Sequence, residues 1–327
     1  VKRLDAYWQD RNALALALAP VSWLFCALAA LRRWLYSRRL LRIQRIERPV
    51  AIIGNLTVGG TGKTPLVIAL IEALRARGLH PGVVSRGYGG QASDWPRPVS
   101  GESDPGQVGD EPVLIAARSG CPVWVGPDRP GAARALLGAH PEVDVVLSDD
   151  GLQHYALGRD VELLVIDGER GLGNGLCLPA GPLREPASRL REVDLTVVNG
   201  AERPGTWHMD LEPGPLRNLV DPERRLEPDA PSARVHAVAG IGNPERFFRS
   251  LERLGWKIDR HPFPDHHAFT PHDLAFDDDR PVVMTEKDAI KCRRFARISH
   301  WFLPVSARID DRMVDELLGL LRKHVHG

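Results

Sequence analysis

The stretch Val50-Ala51-Ile52-Ile53-Gly54-Asn55-Leu56-Thr57-Val58-Gly59-Gly60-Thr61-Gly62-Lys63-Thr64-Pro65 constrains this chain more than any other. Four apolar residues suited to a buried strand run into a turn with three glycines and a Lys-Thr pair. An apolar helical pattern follows at Leu66, Ile68, Ala69, Leu70, Ala73 and Leu74. Strand, glycine turn and helix in that order form an anion cradle. The glycines admit backbone angles that aim successive N–H groups inward, and the helix adds the positive end of its dipole. Thr57, Val58, Gly59, Gly60, Thr61, Gly62, Lys63 and Thr64 are therefore the expected nucleotide-binding residues, with Lys63 reaching the terminal phosphates and the Thr64 hydroxyl placed for Mg²⁺. The usual pattern has glycine six residues before the lysine; here Thr57 stands there.

A cradle does not identify the acceptor of its phosphate, so the rest of the chain must. At 327 residues and 43% hydrophobic content the chain can bury a sizeable core and is not disordered. Its net charge of +1 hides an asymmetry: residues 1–48 carry ten Lys/Arg against three Asp/Glu, and the remainder 33 against 39. Only the N-terminal segment is drawn to anionic surfaces, and nothing suggests nucleic acid or an obligate protein partner. Cys26, Cys121, Cys177 and Cys292 lie far apart and form no C-x-x-C pair, which argues against a zinc site or a disulfide framework and suits a reducing compartment.

Between Arg11 and Arg32 lie twenty residues without a charge, NALALALAPVSWLFCALAAL. A helix built from them is apolar all round and near the length of a membrane span; a buried core helix is the competing reading. Arg32, Arg33, Arg38, Arg39, Arg42 and Arg45 follow at once, with Trp23, Trp34 and Tyr36 available at an interface, which favours membrane attachment with the downstream chain cytoplasmic. Pro20 leaves open a helix lying in one leaflet. Asp5 and Asp10 spoil the basic start of a signal peptide.

Apolar runs recur at Val83-Val84, Val123–Val125, Val143–Leu147, Val161–Ile166 and Leu195–Val198. Strands alternating with helices at this spacing predict a parallel sheet with helices on both faces, an α/β fold of the phosphate-loop NTPase kind. Polar residues gather where those strands end, at the edge where such sheets bind ligands. Asp149 and Asp150 close an acidic strand that suits Mg²⁺, and Asp110-Glu111 offers a further metal ligand or a base. Arg86, Arg129 and Arg184 suit a substrate phosphate, because guanidinium binds phosphate in a two-pronged fashion. His261–Thr270 is expected to be an ordered loop whose histidines can orient a carboxylate, and Gly200–Pro231 to hold surface connections.

Taken in order, GNLTVGGTGKTP, SRGY (Ser85–Tyr88), GDEP (Gly109–Pro112), SDDGLQH (Ser148–His154), PAGPLREP (Pro179–Pro186), FPDHH (Phe263–His267) and TEKD (Thr285–Asp288) resemble the tetraacyldisaccharide 4'-kinase family over nearly the whole chain. The resemblance implies ATP- and Mg²⁺-dependent phosphorylation of the 4'-hydroxyl of a tetraacylated glucosamine disaccharide 1-phosphate at the cytoplasmic leaflet of the inner membrane. It also implies a catalytic Asp110–His266 pair beside Lys63, with Glu111, Thr64, Asp149 and Asp150 near the metal. His154, within SDDGLQH, joins the arginines as a candidate substrate contact.

The expected organisation is an N-terminal membrane-associated helix (1–38), a phosphate-loop domain (39–154), a smaller α/β domain closing over the nucleotide (155–304), and a C-terminal helix returning to the first domain (305–327). Two rivals stay open: a soluble kinase of another small acceptor, and a nucleotide switch. TEKD superficially suits the switch, but Glu286 intervenes where a guanine-reading motif needs lysine directly after Asn or Thr.

Overall fold

The computed structural model describes residues 7–227 and 234–323; Asp5, residues 228–231 of the Gly200–Pro231 stretch and the last four residues lie outside them. From the amino end the chain forms α1 (Ala13–Ser37), β1 (Val50–Gly54), α2 (Lys63–Ala76), β2 (Pro81–Ser85), β3 (Arg97–Val99), α3 (Pro105–Val108), α4 (Asp110–Ser119), β4 (Val123–Val125), α5 (Arg129–Ala139), β5 (Val145–Ser148), β6 (Val161–Asp167), β7 (Leu195–Asn199) and β8 (Trp207–Pro213). It continues through β9 (Leu216–Asn218), β10 (Arg225–Leu226), β11 (Arg234–Ala239), α6 (Pro244–Arg253), β12 (Lys257–Pro262), β13 (Val282–Thr285), α7 (Glu286–Cys292), β14 (His300–Leu303), β15 (Val305–Ile309) and α8 (Asp311–Lys323).

Two sheets result, in the orders β15-β8-β7-β6-β1-β5-β2-β4-β3 and β10-β9-β14-β13-β11-β12. The first is parallel from β8 through β4, with antiparallel strands β15 and β3 at its edges. β1 illustrates why its strands read as unbroken apolar runs. Ala51 and Ile53 face a core shared with α2, α4 and α8, while Val50 and Ile52 face a second core shared with α5. With both faces covered, every position must be apolar. The α/β class with helices on both faces is thus realised.

The expected division at residues 154/155 does not follow the sheets. β6, β7 and β8 continue the first sheet, because β6 pairs directly with β1. The chain leaves for the second sheet only after β8 and returns in β15, so the stretch read as surface connections in fact holds β8, β9 and β10. α8 buries Met313, Val314, Leu317, Leu318 and Leu321 in the core of the first sheet.

α1 is 25 residues long, its most apolar 18-residue stretch has mean hydropathy 2.2, and only Ala15, Ala19 and Ser22 along it are buried. That seam of small residues lies against the loop after β6: Ser22 Oγ donates to the Cys177 carbonyl at 2.7 Å, and Trp8, just before the helix, donates to the Pro179 carbonyl at 3.0 Å. Leu16, Trp23, Leu24 and Leu28 point outward. The same seam brings Cys26 and Cys177, 151 positions apart, side by side with Cα atoms 5.9 Å apart. Cys121 and Cys292 are buried and free.

Candidate functional site

The carboxyl ends of the parallel strands in the two sheets face one another across a cleft of about 640 Å³ lined by Thr57, Val58, Gly59, Arg170, Ile241 and Gly242, among others. On the first side β1 delivers the phosphate loop, and β5 delivers Asp149 and Asp150. On the other, β11 ends at Gly240-Ile241-Gly242, β12 leads to Asp265-His266, and β13 to Glu286-Lys287. Open α/β sheets bind ligands at this edge, and here two such edges share one cleft.

Gly54 ends β1 because any side chain there would stand 2.6 Å from Leu152 Cβ, and Gly62 caps α2 with φ +95° while the Asn199 amide crowds it. Thr57 does not need glycine's freedom: it forms a β-bridge with Leu183, and the Val58 N–H donates to the Pro182 carbonyl at 2.9 Å. That extended start explains the departure from the usual loop pattern. Lys63 Nζ lies 3.3 Å from Asp150 Oδ1, and Arg184 Nη1 lies 3.1 Å from Asp150 Oδ2. Burial pushes the Asp150 carboxyl up, but Lys63 and then Arg184 outweigh it and hold the group well below the usual range.

Asp149 is 3% exposed, and its Oδ1 is buried with no hydrogen-bond partner among the described residues. Burial, then the Asp150 charge beside it, raises its carboxyl to about 6. An orphaned carboxylate oxygen near Lys63 and Glu111 is where a cation would relieve the cost, so the donor set fits Mg²⁺. Among the described residues no three or more His, Cys, Asp or Glu side chains converge on one point. Mg²⁺ tolerates this, because it keeps waters and phosphate oxygens in most of its positions. Asp150 is paired here with Lys63 and Arg184.

Asp110 and Glu111 open α4. Asp110 Oδ2 meets His266 Nδ1 at 3.2 Å, with Lys291 Nζ 3.9 Å away, so residues 156 positions apart become neighbours. Burial raises the Asp110 carboxyl, yet the His266 hydrogen bond followed by Lys291 and Lys287 leaves it below the usual range. His266 is raised, first by its bond to Asp110. Tyr88 presents an edge to the His266 ring at 5.3 Å between centroids. Lys287 Nζ lies 2.6 Å from Glu111 Oε1 and 3.4 Å from His266 Nε2. Burial depresses Lys287, but Glu111 and Asp265 reverse the shift.

The candidate substrate residues part company. Arg86 is exposed at the end of β2. Arg129 is 2% exposed and points into the fold, donating to Ser148 Oγ at 3.3 Å and to the Asp150 carbonyl at 2.7 Å. Its burial lowers it to about 10, and it braces the acidic strand end rather than facing a substrate. Arg184 is committed to Asp150. His154 is half-buried, and burial, then Arg129, Arg159 and Arg32, lower its imidazole to about 4. Lys287, Arg170 and Asn199 were missed. Lys287 lies inside the TEKD motif, and the other two sit at or just after the ends of β6 and β7, where counting strand ends would have found them.

A family model described as tetraacyldisaccharide-1-P 4'-kinase matches residues 14–322. The chain is 54% identical over 311 residues to a tetraacyldisaccharide 4'-kinase of Alkalilimnicola ehrlichii, covering 94% of this chain and 93% of that one. It is 51% identical to that of Nitrosococcus oceani, covering 97% and 94%. A crystal structure of an "apo" form of LpxK from Aquifex aeolicus in complex with ATP superposes with a TM-score of 0.78 at 26% identity, covering 94% of this chain and 99% of that one. Motif order, two-sheet architecture and near full-length similarity agree, and the chain belongs to the tetraacyldisaccharide-1-P 4'-kinase family.

Proposed function

We propose that this chain transfers the γ-phosphoryl group of ATP to the 4'-hydroxyl of a tetraacylated glucosamine disaccharide 1-phosphate. The observation that carries the reading is the Asp110–His266 contact at 3.2 Å, placed beside a phosphate loop in a chain of this family. The loop N–H groups and Lys63 bind the polyphosphate; Lys63 leaves Asp150 to meet the charge on the transferred group. Asp110 orients the sugar hydroxyl and accepts its proton late in a loose transition state, while His266 holds the far carboxylate oxygen. Thr64, Asp149 and Glu111 would hold Mg²⁺, Glu111 exchanging its Lys287 partner for the ion. Held there, Mg²⁺ would supply positive charge to offset that of the polyphosphate.

The same reading gives α1 its purpose. It touches the body from Ala15 to Arg33, whose Nη2 lies 3.1 Å from Glu192. A helix held lengthwise against the catalytic body cannot be ringed by acyl chains. α1 therefore lies in one leaflet, on the cytoplasmic face of the inner membrane, with Trp23, Leu24 and Leu28 among the lipids. Arg38, Arg39, Arg42 and Arg45 meet anionic headgroups, and Arg86 and His154 remain on the side of the glycolipid phosphate.

The test is transfer of labelled phosphate from ATP to the tetraacyldisaccharide 1-phosphate in mixed micelles. Labelled lipid is expected, with far slower labelling of the deacylated disaccharide. Equal labelling of the deacylated sugar would favour a soluble-acceptor kinase, and no labelling of either would refute the proposal.

A further inference from the structure

The ends of β6 and β7 each send one side chain to the back of the phosphate loop. Arg170 donates from Nη2 to the Gly60 carbonyl, and Asn199, fully buried, donates from Nδ2 to the Thr61 carbonyl at 3.0 Å. A peptide unit is planar and trans, so its N–H points away from its C=O. Holding the Gly60 carbonyl therefore fixes the direction of the Thr61 N–H, and holding the Thr61 carbonyl fixes that of the Gly62 N–H. Gly59, Gly60 and Gly62 leave this segment free to turn either way unless something outside it decides. These two side chains supply the decision.

Arg170 is itself held. Asp167, 1% exposed, accepts the backbone N–H groups of Glu169 and Arg170 at 3.1 and 3.0 Å, which fixes its carboxylate. That carboxylate then faces two guanidinium groups: Arg170 at 3.2 Å and Arg246 of α6 at 3.4 Å. Arg246 belongs to the second sheet's side of the cleft. From the same side Gly242 presses on the loop, and a Cβ there would stand 3.3 Å from the Gly60 nitrogen.

We infer that Arg170 and Asn199 are positioning residues that set the peptide planes of the phosphate loop for a polyphosphate. Asp167, shared by Arg170 and Arg246, ties that setting to the approach of the second sheet. The inference rests on reading the loop as an ATP site, but not on the identity of the acceptor.

Calorimetric titration of the detergent-solubilised full chain with ATP, and separately with AMP, in Mg²⁺ and without lipid tests it. Arg170→Ala is expected to weaken ATP roughly tenfold or more, the size of a charged hydrogen bond, while AMP binding and the unfolding midpoint hold. Arg170→Lys should recover part of the loss. Arg246→Ala should weaken ATP less, and the double variant should match Arg170→Ala alone, because Arg246 reaches the loop only through Asp167 and Arg170. Parental ATP affinity in Arg170→Ala overturns the inference while leaving the ATP site standing. Equal losses for ATP and AMP would mean a general structural role and also overturn it. Additive losses for Arg170 and Arg246 overturn the link between the sheets, and a parent that binds no ATP overturns inference and loop reading together.

Discussion

The phosphate loop and the Asp110–His266–Lys287 cluster are made in opposite ways. The loop is eight consecutive residues, Thr57–Thr64, strung between one strand and one helix. The cluster draws on α4 of the first sheet, the loop after β12 and the start of α7 in the second, and it exists only where the two sheets approach. A contiguous site carries most of its geometry with it. A discontiguous one inherits its geometry from packing elsewhere, so a contact between the sheets such as Arg118–Glu286 must matter more to it than to the loop.

The largest expected effect lies on the contiguous side. Lys63→Ala should lower kcat roughly 10³-fold with an unchanged unfolding midpoint, since the transferred phosphoryl loses its nearest cation. Parental turnover at saturating MgATP would remove the loop from the chemistry. Asp110→Asn should follow at roughly 10²-fold, with ATP affinity near parental.

The contrast sharpens with Arg118→Ala. Arg118 Nη1 meets Glu286 Oε1 at 2.8 Å across the sheets, one residue before Lys287 and away from the reacting groups. Losing this partly exposed pair should cost about 1 kcal/mol and lower kcat a few-fold, while ATP binding at the loop holds. A fall in ATP affinity with kcat intact would reverse the comparison. Arg129→Ala should instead act on stability, lowering it by about 3 kcal/mol in a chemical unfolding experiment, because it strips a buried cation from the end of β5.

The smallest effect is a titration. Asp110, lowered, favours the folded state above the ordinary carboxylate range and loses that contribution as pH falls through its depressed value. His266, raised, favours it below the ordinary imidazole range and loses it as pH rises through its elevated value. The ion pair therefore spans the window between the two. Asp110→Asn should move the His266 midpoint downward by NMR; an unmoved midpoint would mean that Asp110 does not set it.

The same contrast explains what was legible in the sequence. The loop, its strand and helix, and the parallel sheet follow from local apolar periodicity and glycine placement. Asp110 with His266 came only through motif resemblance, since no spacing predicts contact across 156 positions. Arg129 looked like a phosphate ligand because guanidinium chemistry is visible in sequence while burial is not. That Cys26 lies beside Cys177 was hidden because the small residues Ala15, Ala19 and Ser22 mark a packed face without saying what packs on it. β8 and β15 hid among prolines and charges, because only alternate residues, Trp207, Met209 and Leu211 in β8 and Ala307 and Ile309 in β15, face the core.

The central claim is that Asp110 and His266 act as one unit assembled by the two sheets. A double-mutant cycle at saturating ATP and lipid tests it most directly. Asp110→Ala, His266→Ala and the double variant should show similarly depressed kcat, because removing either member disables the pair. Strictly additive losses, or a His266→Ala enzyme of parental turnover, would contradict it and leave His266 an ordinary loop histidine.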